Sequence, residues 1–411
     1  MMDLLNNFVY IPLFISLYFE VFLLITFFEG KRTIKTEEAR SSREVPSVTL
    51  IVPCWNEETT VAHTLDSILA LDYPKDKLTV VAVNDGSTDG TANVLQDYAE
   101  RFGITVYTKE NGGKHTALNL GISRAQSEIV GCLDADSTVA PNALREIIKY
   151  FDDPEAMAVT PSIQAWQPRT LLQRIQEAEY DMSIFLQKTL SMLGALTVTP
   201  GPFSFFRTRV FKELGPYRHA HSTEDMEYAM RMQKARYKIV NAHTAYVYTN
   251  TPKTFKGLYR QRRRWTYGFL ANARDYRELF FKPRYGHAGV LTMPFRFFTV
   301  FSALILVSII ITNAIHSVLI KLSQWSAINY HNLFLSKSFD FFYVNPSTVV
   351  ILEILTLMFA FILIVGGKNL AKKQLFSKDI IYFCLFYGLL APFWLGGAVW
   401  NFMRAKNVAW R

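Results

Sequence analysis

The stretch Ile129-Val130-Gly131-Cys132-Leu133-Asp134-Ala135-Asp136 runs an apolar segment straight into two carboxylates. A short apolar run of this kind reads as a buried β-strand with its charges at the carboxyl end. Residues i and i+2 of an extended chain share a face. Asp134 and Asp136 therefore stand side by side and repel unless a cation or proton intervenes. Mg2+ or Mn2+ with diphosphate oxygens would satisfy them; two turn-forming aspartates are the plainer alternative.

The same pattern recurs upstream. Residues 48–52 (VTLIV), 78–83 and 104–107 are three more strand-like runs. Apolar residues at helical spacing follow them: Val61, Leu65, Ile68 and Leu69, then residues 92–99 and 116–125, with residues 141–151 after the Asp134–Asp136 pair. Alternating strand and helix predict an α/β domain with a mostly parallel sheet. Ligands of such sheets bind at the carboxyl ends of the strands. Three of those ends carry polar residues: Pro53-Cys54-Trp55-Asn56-Glu57, Asn84-Asp85-Gly86-Ser87 and Asp134-Ala135-Asp136. They are expected to converge on one crevice.

Further motifs carry chemistry. Asn111-Gly112-Gly113-Lys114-His115 places a lysine in a glycine-rich turn, but Thr108 and His115 break the Walker A pattern. Lys114 still suits a phosphate, and His115 reads as a helix-start residue. Thr223-Glu224-Asp225 precedes a helical pattern over residues 226–235, which Ser222 or Thr223 would cap. Glu224 and Asp225 either complement the helix dipole or, for Asp225, act as a general base. Gln261-Arg262-Arg263-Arg264-Trp265 joins guanidinium groups to an indole. It suits a diphosphate and a sugar ring, or a basic patch on anionic lipid.

Half of the 411 residues are hydrophobic and the formal net charge is +9. Basic loops on the cytoplasmic side of a membrane explain that charge without nucleic acid. Cys54, Cys132 and Cys384 show no metal or disulfide spacing, as in a reduced compartment. Residues 8–29 form an apolar run long enough to span a bilayer. Residues 1–7 carry Asp3 and no positive charge, so the run reads as a retained anchor rather than a signal peptide. Glu20 within it is expected to face other helices or water. Further apolar runs cover residues 297–319, 348–365 and 380–402, the last with Pro392 and Gly396-Gly397 predicting a kink or break. Lys31, Arg32, Lys35, Arg40 and Arg43, and again Lys368, Lys372, Lys373 and Lys378, place the segments after the first and third spans in the cytoplasm. Arg404, Lys406 and Arg411 then fall on the far side, which leaves a re-entrant last segment, a different span count or a tail that breaks the rule. Residues 276–296 mix Phe280, Phe281, Tyr285 and Phe295 with Arg277, Lys282, Arg284 and Arg296, as in an amphipathic interfacial segment or an ordinary linker. The expected division is an anchor over residues 1–30, a catalytic domain over 45–275, the interfacial segment over 276–296, and a membrane region of about three spans over 297–411.

Asp85, then Asp134 and Asp136, then Thr-Glu-Asp ending at Asp225, then Gln261, Arg264 and Trp265 together resemble the processive family 2 glycosyltransferases over about residues 48–268. The layout is most similar to that of the bacterial poly-β-1,6-N-acetylglucosamine synthases. The resemblance implies a GT-A fold, Rossmann-like, and an inverting transfer from a UDP-sugar to a growing β-linked polysaccharide at the cytoplasmic face of the plasma membrane. It implies that Pro53, Asn56, Glu57 and Asp85 hold the nucleoside and that Lys114 and Asp134 lie at the nucleotide. Asp136 would reach the metal, Mg2+ or Mn2+. Asp225, with Glu224 beside it, would be the base, Gln261 and Arg264 would cover the diphosphate, and Trp265 would receive the acceptor. Residues 201–206 are expected to shape the acceptor pocket. Four spans are few for a closed polysaccharide channel. A small membrane subunit or self-association would complete one; alternatively the acceptor is a membrane lipid carrier that receives one or a few sugars.

Overall fold

The computed structural model describes residues 9–39, 45–327 and 348–404. Residues 1–8, Arg40, Arg43, Lys406 and Arg411 lie outside the described residues.

Four parallel strands, β1 (Val48–Cys54), β2 (Leu78–Asp85), β3 (Thr105–Lys109) and β4 (Ile129–Cys132), form one half of an eight-stranded sheet. β1 lies between β2 and β4, so Cys54 is level with Asn84 and Ile51 with Cys132. The polar ends of these strands therefore emerge together, as their alternation with helices predicts. Period-two alternation along β1 supplies both faces. Leu50 and Val52 pack with Val61, Leu65 and Ile68 of α2 (Val61–Leu69), and Ile51 packs with Ala117 and Leu118 of the helix Lys114–Arg124. The helices that follow α2 are α3 (Thr91–Phe102), α4 (Lys114–Arg124) and α5 (Ala143–Ile148).

The second half of the sheet is mixed. It comprises β5 (Ser137–Val139), β6 (Ala156–Ala165), β7 (Ser204–Arg207) and β8 (Lys238–Thr249), in the overall order β3-β2-β1-β4-β7-β6-β8-β5. β7 runs antiparallel to both β4 and β6, and β6 runs parallel to β8. The helices here are α6 (Leu171–Met192), α7 (Thr208–Leu214), α8 (Glu224–Lys234) and α9 (Phe255–Asp275).

Among the described residues, four helices are long and apolar enough to cross a membrane, over Tyr10–Glu38, Ala288–Ile309, Val350–Leu370 and Lys378–Met403. They belong to α1 (Tyr10–Glu38), α10 (Met293–Ala327) with the turn before it, α11 (Thr348–Leu370) and α12 (Lys378–Met403). Three expectations change. α1 continues to Glu38 instead of ending near residue 30, because its last turn is docked: Glu37 pairs with buried Lys188, and His243 lies 2.9 Å from Glu38. Lys31, Arg32 and Lys35 are thus on a helix, not a loop. Lys368, read as part of a solvated basic loop, is buried between Asp181 and Asp379 at 2.9 and 2.8 Å, and Lys373 reaches Asp181 at 2.8 Å. α12 runs unbroken through Pro392. Glu20 has one carboxylate oxygen, Oε2, buried without a hydrogen-bond partner among the described residues.

Residues 276–296 are built from several short turns that lead into a long helix. Short turns at Arg277–Leu279 and Pro283–Tyr285 lead into a π-turn at Ala288–Thr292 and then α10. Phe281 is 73% exposed, but Tyr276, Leu279 and Met293 are buried against Met226, Met230 and Phe269. The segment is a packed connector whose apolar residues seal α8 and α9.

Candidate active site

A cavity of about 600 Å³ opens at the carboxyl ends of β1, β2 and β4. Pro53, Glu57, Asp85, Lys114, Asp134, Asp136, Glu224, Asp225, Gln261, Arg264 and Trp265 all line it. Asn56 does not. It sits at φ 53°, its N–H donates to Ser87 Oγ at 3.0 Å, and its Oδ1 accepts from the Thr88 N–H at 2.8 Å. Asn56 thereby stitches the β1 loop to the β2 loop. The Glu57 N–H adds a second stitch to Thr91 Oγ1 at 2.8 Å.

Buried Asp85 organises the glycine-rich turn. Its carboxylate accepts from the N–H groups of Gly112 and Gly113 at 3.1 and 2.8 Å, and from Lys109 Nζ at 2.6 Å. Lys109 went unread in the sequence, although strand pairing sets it opposite Asp85. The turn delivers Lys114 to Asp134 at 2.5 Å, with Glu224 at 3.8 Å. Burial works against the ammonium charge, but Asp134 and Glu224 hold Lys114 well above the ordinary lysine range. Gly201 makes room for this pair, since a Cβ there would lie 2.5 Å from Lys114 Nζ and 3.0 Å from Asp134 Oδ2.

Asp136 accepts from Ser137 Oγ at 3.1 Å. Burial, with Asp134 and Glu57 adding negative charge, pushes its carboxyl up to about 6. A carboxylate so destabilised fits a divalent cation. Among the described residues no group of three or more acidic, histidine or cysteine side chains stands ready as a complete metal cage. A hard cation here would take Asp136 from the protein and complete its shell with nucleotide oxygens and water, the habit of Mg2+.

Asp225, the second residue of α8, has one carboxylate oxygen on the Met226 N–H at 2.8 Å and its carbonyl on Thr199. Burial first, and then Glu224, push its carboxyl up to about 6, against the opposing pull of Lys114 and Arg264. Thr223 occupies the N-cap position without capping; its hydroxyl donates to the Ala220 carbonyl and accepts from Asn272. Arg264 donates to the Ser222 carbonyl at 2.7 Å. Ala220, His221 and Ser222 are three consecutive residues at positive φ, a strained bend between Asp225 and α9. Trp265 lies beneath Arg262, whose guanidinium carbon is 4.2 Å from the ring centroid.

Two expectations shift. Pro200, Gly201 and Pro202 line the cavity, but Phe203 and, within β7, Phe205 and Phe206 are core residues. Arg296, assigned to the interfacial segment, instead turns from the first turn of α10 into the cavity, donating to Thr197 Oγ1 at 3.1 Å and covering Phe269 at 4.6 Å. Its neighbours in sequence are aromatic, so nothing in the local pattern distinguishes it from a membrane-surface arginine.

Residues 46–268 match the model of "Glycosyltransferase like family 2", more than half of the chain. The chain belongs to this family. It is 31% identical over 272 residues to poly-beta-1,6-N-acetyl-D-glucosamine synthases of Staphylococcus epidermidis and Staphylococcus aureus, a match that covers 65% of this glycosyltransferase. The chain spans 66% of the length of these relatives. Its fold is also similar, with a TM-score of 0.65 and 20% identity over 99% of the chain and 100% of the other, to a mannosyltransferase of Pyrobaculum calidifontis solved with GDP-Man and Mn2+. The catalytic unit is a GT-A fold, as the sequence motifs imply.

Proposed function

We propose that this glycosyltransferase moves a sugar from a UDP-sugar to the end of a growing β-linked polysaccharide, with inversion, at the cytoplasmic face of the plasma membrane. The observation that carries the reading is the Asp225 carboxyl, raised to about 6 in the same cavity as Asp136, Arg264 and Trp265. A base of that strength is mostly ionised near neutral pH and still takes a proton well.

In this reading Asp225 removes the proton from the acceptor hydroxyl as that oxygen bonds to the anomeric carbon. The bond from that carbon to the diphosphate breaks, and UDP leaves with the electron pair. Lys114 and Arg264 offset the charge that develops on the diphosphate. Direct displacement needs no covalent nucleophile on the protein and inverts the carbon. A divalent cation at Asp136, when bound, supplies Lewis-acid stabilisation of the leaving diphosphate. Trp265 gives the acceptor sugar an apolar face. The names of the relatives make UDP-N-acetylglucosamine the first donor to test.

The test is UDP release and product sizing by the full chain in lipid nanodiscs, with Mg2+ or Mn2+. UDP-N-acetylglucosamine, UDP-glucose, UDP-galactose and UDP-glucuronate serve as donors. Long polymer from UDP-N-acetylglucosamine, lost in Asp225→Asn and Asp136→Ala, is expected. Products of a single added sugar, or product confined to the organic phase, refute the polymer reading in favour of a lipid-linked acceptor.

A further inference from the structure

Helix α6 separates the cavity from the membrane helices. Tyr180, Ser183 and Gln187 face the cavity, whereas Asp181 is bound to Lys368 of α11. Between these faces lies Glu179, whose two carboxylate oxygens serve different elements. Oε1 accepts from the Tyr387 hydroxyl of α12 at 3.1 Å, and Oε2 accepts from Arg262 Nη2 of α9 at 2.8 Å. Arg262 in turn covers Trp265 and donates through Nη1 to Gln261 Oε1 at 3.0 Å. We propose that Tyr387, Glu179 and Arg262 form a positioning relay through which the membrane helix α12 sets the Trp265 platform. The proposal rests on the reading of Trp265 as the acceptor platform.

The chemistry of the relay argues against a merely structural role. Arg262 is 4% exposed. A buried ion pair gives up the hydration of both charges, and apolar side chains of like volume often stabilise a fold as well or better. Arg262 Nε finds no hydrogen-bond partner among the described residues, so even here the guanidinium is incompletely compensated. An aliphatic side chain would support an indole at lower cost. The relay adds direction: a planar cation over the ring, a carboxylate that orients the cation, and a hydroxyl that reports where α12 stands. α12 is itself fixed at its start, where Lys368 bridges Asp181 of α6 and Asp379 of α12. Tyr387 lies about two turns further along. A shift of α12 along or around its axis is therefore passed to the Trp265 ring that Arg262 covers.

Tyr387→Phe and Glu179→Gln test this in the full chain in nanodiscs. Tyr387→Phe keeps the ring, stacked on Phe383 at 4.4 Å, and removes only the hydroxyl. Rates are measured against an oligosaccharide acceptor and, separately, against the UDP-sugar; product lengths are sized. Each variant is expected to raise the acceptor KM about tenfold, as for loss of one hydrogen bond to a charged group, and to shorten the products. The UDP-sugar KM and acceptor-free UDP-sugar hydrolysis stay as they were. In a Trp265→Ala background, Tyr387→Phe adds no further loss. An unchanged acceptor KM, an equal rise of both KM values, or additive losses with Trp265→Ala would overturn the relay. If Glu179→Gln does not fold, Tyr387→Phe decides alone. If Trp265→Ala itself leaves the acceptor KM unchanged, the acceptor assignment is the part that has failed, and the relay falls with it.

Discussion

Neutralising Glu224 should move the acid limb of the pH–rate profile to lower pH. The Asp225 carboxyl stands at about 6 instead of 3.8. A rise of roughly 2 units means that its charged form is disfavoured by about 3 kcal/mol. Burial is the larger cause and Glu224 the next. For a base, the sign is fixed: kcat/KM for the donor rises with pH through the Asp225 midpoint and levels off above it. Glu224→Gln removes the neighbouring charge that raises Asp225 most after burial, worth on the order of 2 kcal/mol for two unit charges several ångströms apart at an effective dielectric constant of about 20. Water in the open cavity reduces that, leaving a displacement of about one pH unit, from about 6 toward about 5. Asp136 also titrates near 6 and has to be separated. Metal competes with the proton on its own ligand, so raising the metal concentration moves the Asp136 limb down and leaves the Asp225 limb in place. The assay is donor kcat/KM across the acid range at two metal concentrations, with Asp225→Asn as the variant that abolishes the limb. A midpoint that stays put or rises in Glu224→Gln at saturating metal would refute the electrostatic reasoning.

Two further outcomes concern stability. Lys188 is 1% exposed and paired with Glu37 of α1, so Lys188→Met leaves a carboxylate without its cation and should cost about 3–5 kcal/mol, read as a lower thermal midpoint in micelles; Lys188→Met with Glu37→Leu should recover part of it. Gly131→Ala places a Cβ 2.2 Å from the Phe205 ring in the core, and the overpacking should cost about 1–3 kcal/mol, with weaker UDP binding in calorimetry because β4 leads into Asp134.

The first four strands were legible because each couples a short, mostly apolar run to a polar end. β6 and β8 were not, because their buried positions include Thr160, Ser162, Gln164, Asn241 and His243. Such residues break the apolar pattern and are satisfied only across the sheet, as when Asn241 Nδ2 donates to Thr160 Oγ1 at 3.2 Å. Asp85, Lys114, Asp134, Asp136, Glu224 and Asp225 were legible for the same reason as the strands, since they stand at strand ends or helix starts, whereas Arg264, inside α9, was legible only through the Gln-x-x-Arg-Trp pattern. Asn56 was read as a nucleotide contact when its side chain is occupied in holding a turn. Glu179, Arg296 and Tyr387 gave no signal, because their roles arise from α6, α10 and α12 meeting in space. Lys109 had one: a lysine at the end of a strand beside a buried aspartate.

The charges lining the cavity bear on what it can accept. Glu57, Asp85, Asp134, Asp136, Glu224 and Asp225 face it, against Lys114, Arg264 and Arg296. Lys114 is committed to Asp134 and Glu224, Asp85 to Lys109, and Arg264 donates to a backbone carbonyl. An incoming diphosphate meets a lining with more fixed carboxylates than cations, so its binding requires a further positive charge. That requirement, and not the Asp-x-Asp pattern alone, is the physical ground for a divalent ion beside Asp136. The same balance bears on the acceptor. Once the diphosphate is in place, a phosphate-bearing lipid would add a second anion beside Glu224 and Asp225, with Arg296 the one lining cation reaching in from a membrane helix among the described residues. A neutral saccharide adds none; in the proposed reading its ring would stack on Trp265 and its hydroxyl would yield a proton to Asp225. The electrostatics of the cavity therefore favour a saccharide over a lipid phosphate at the acceptor end.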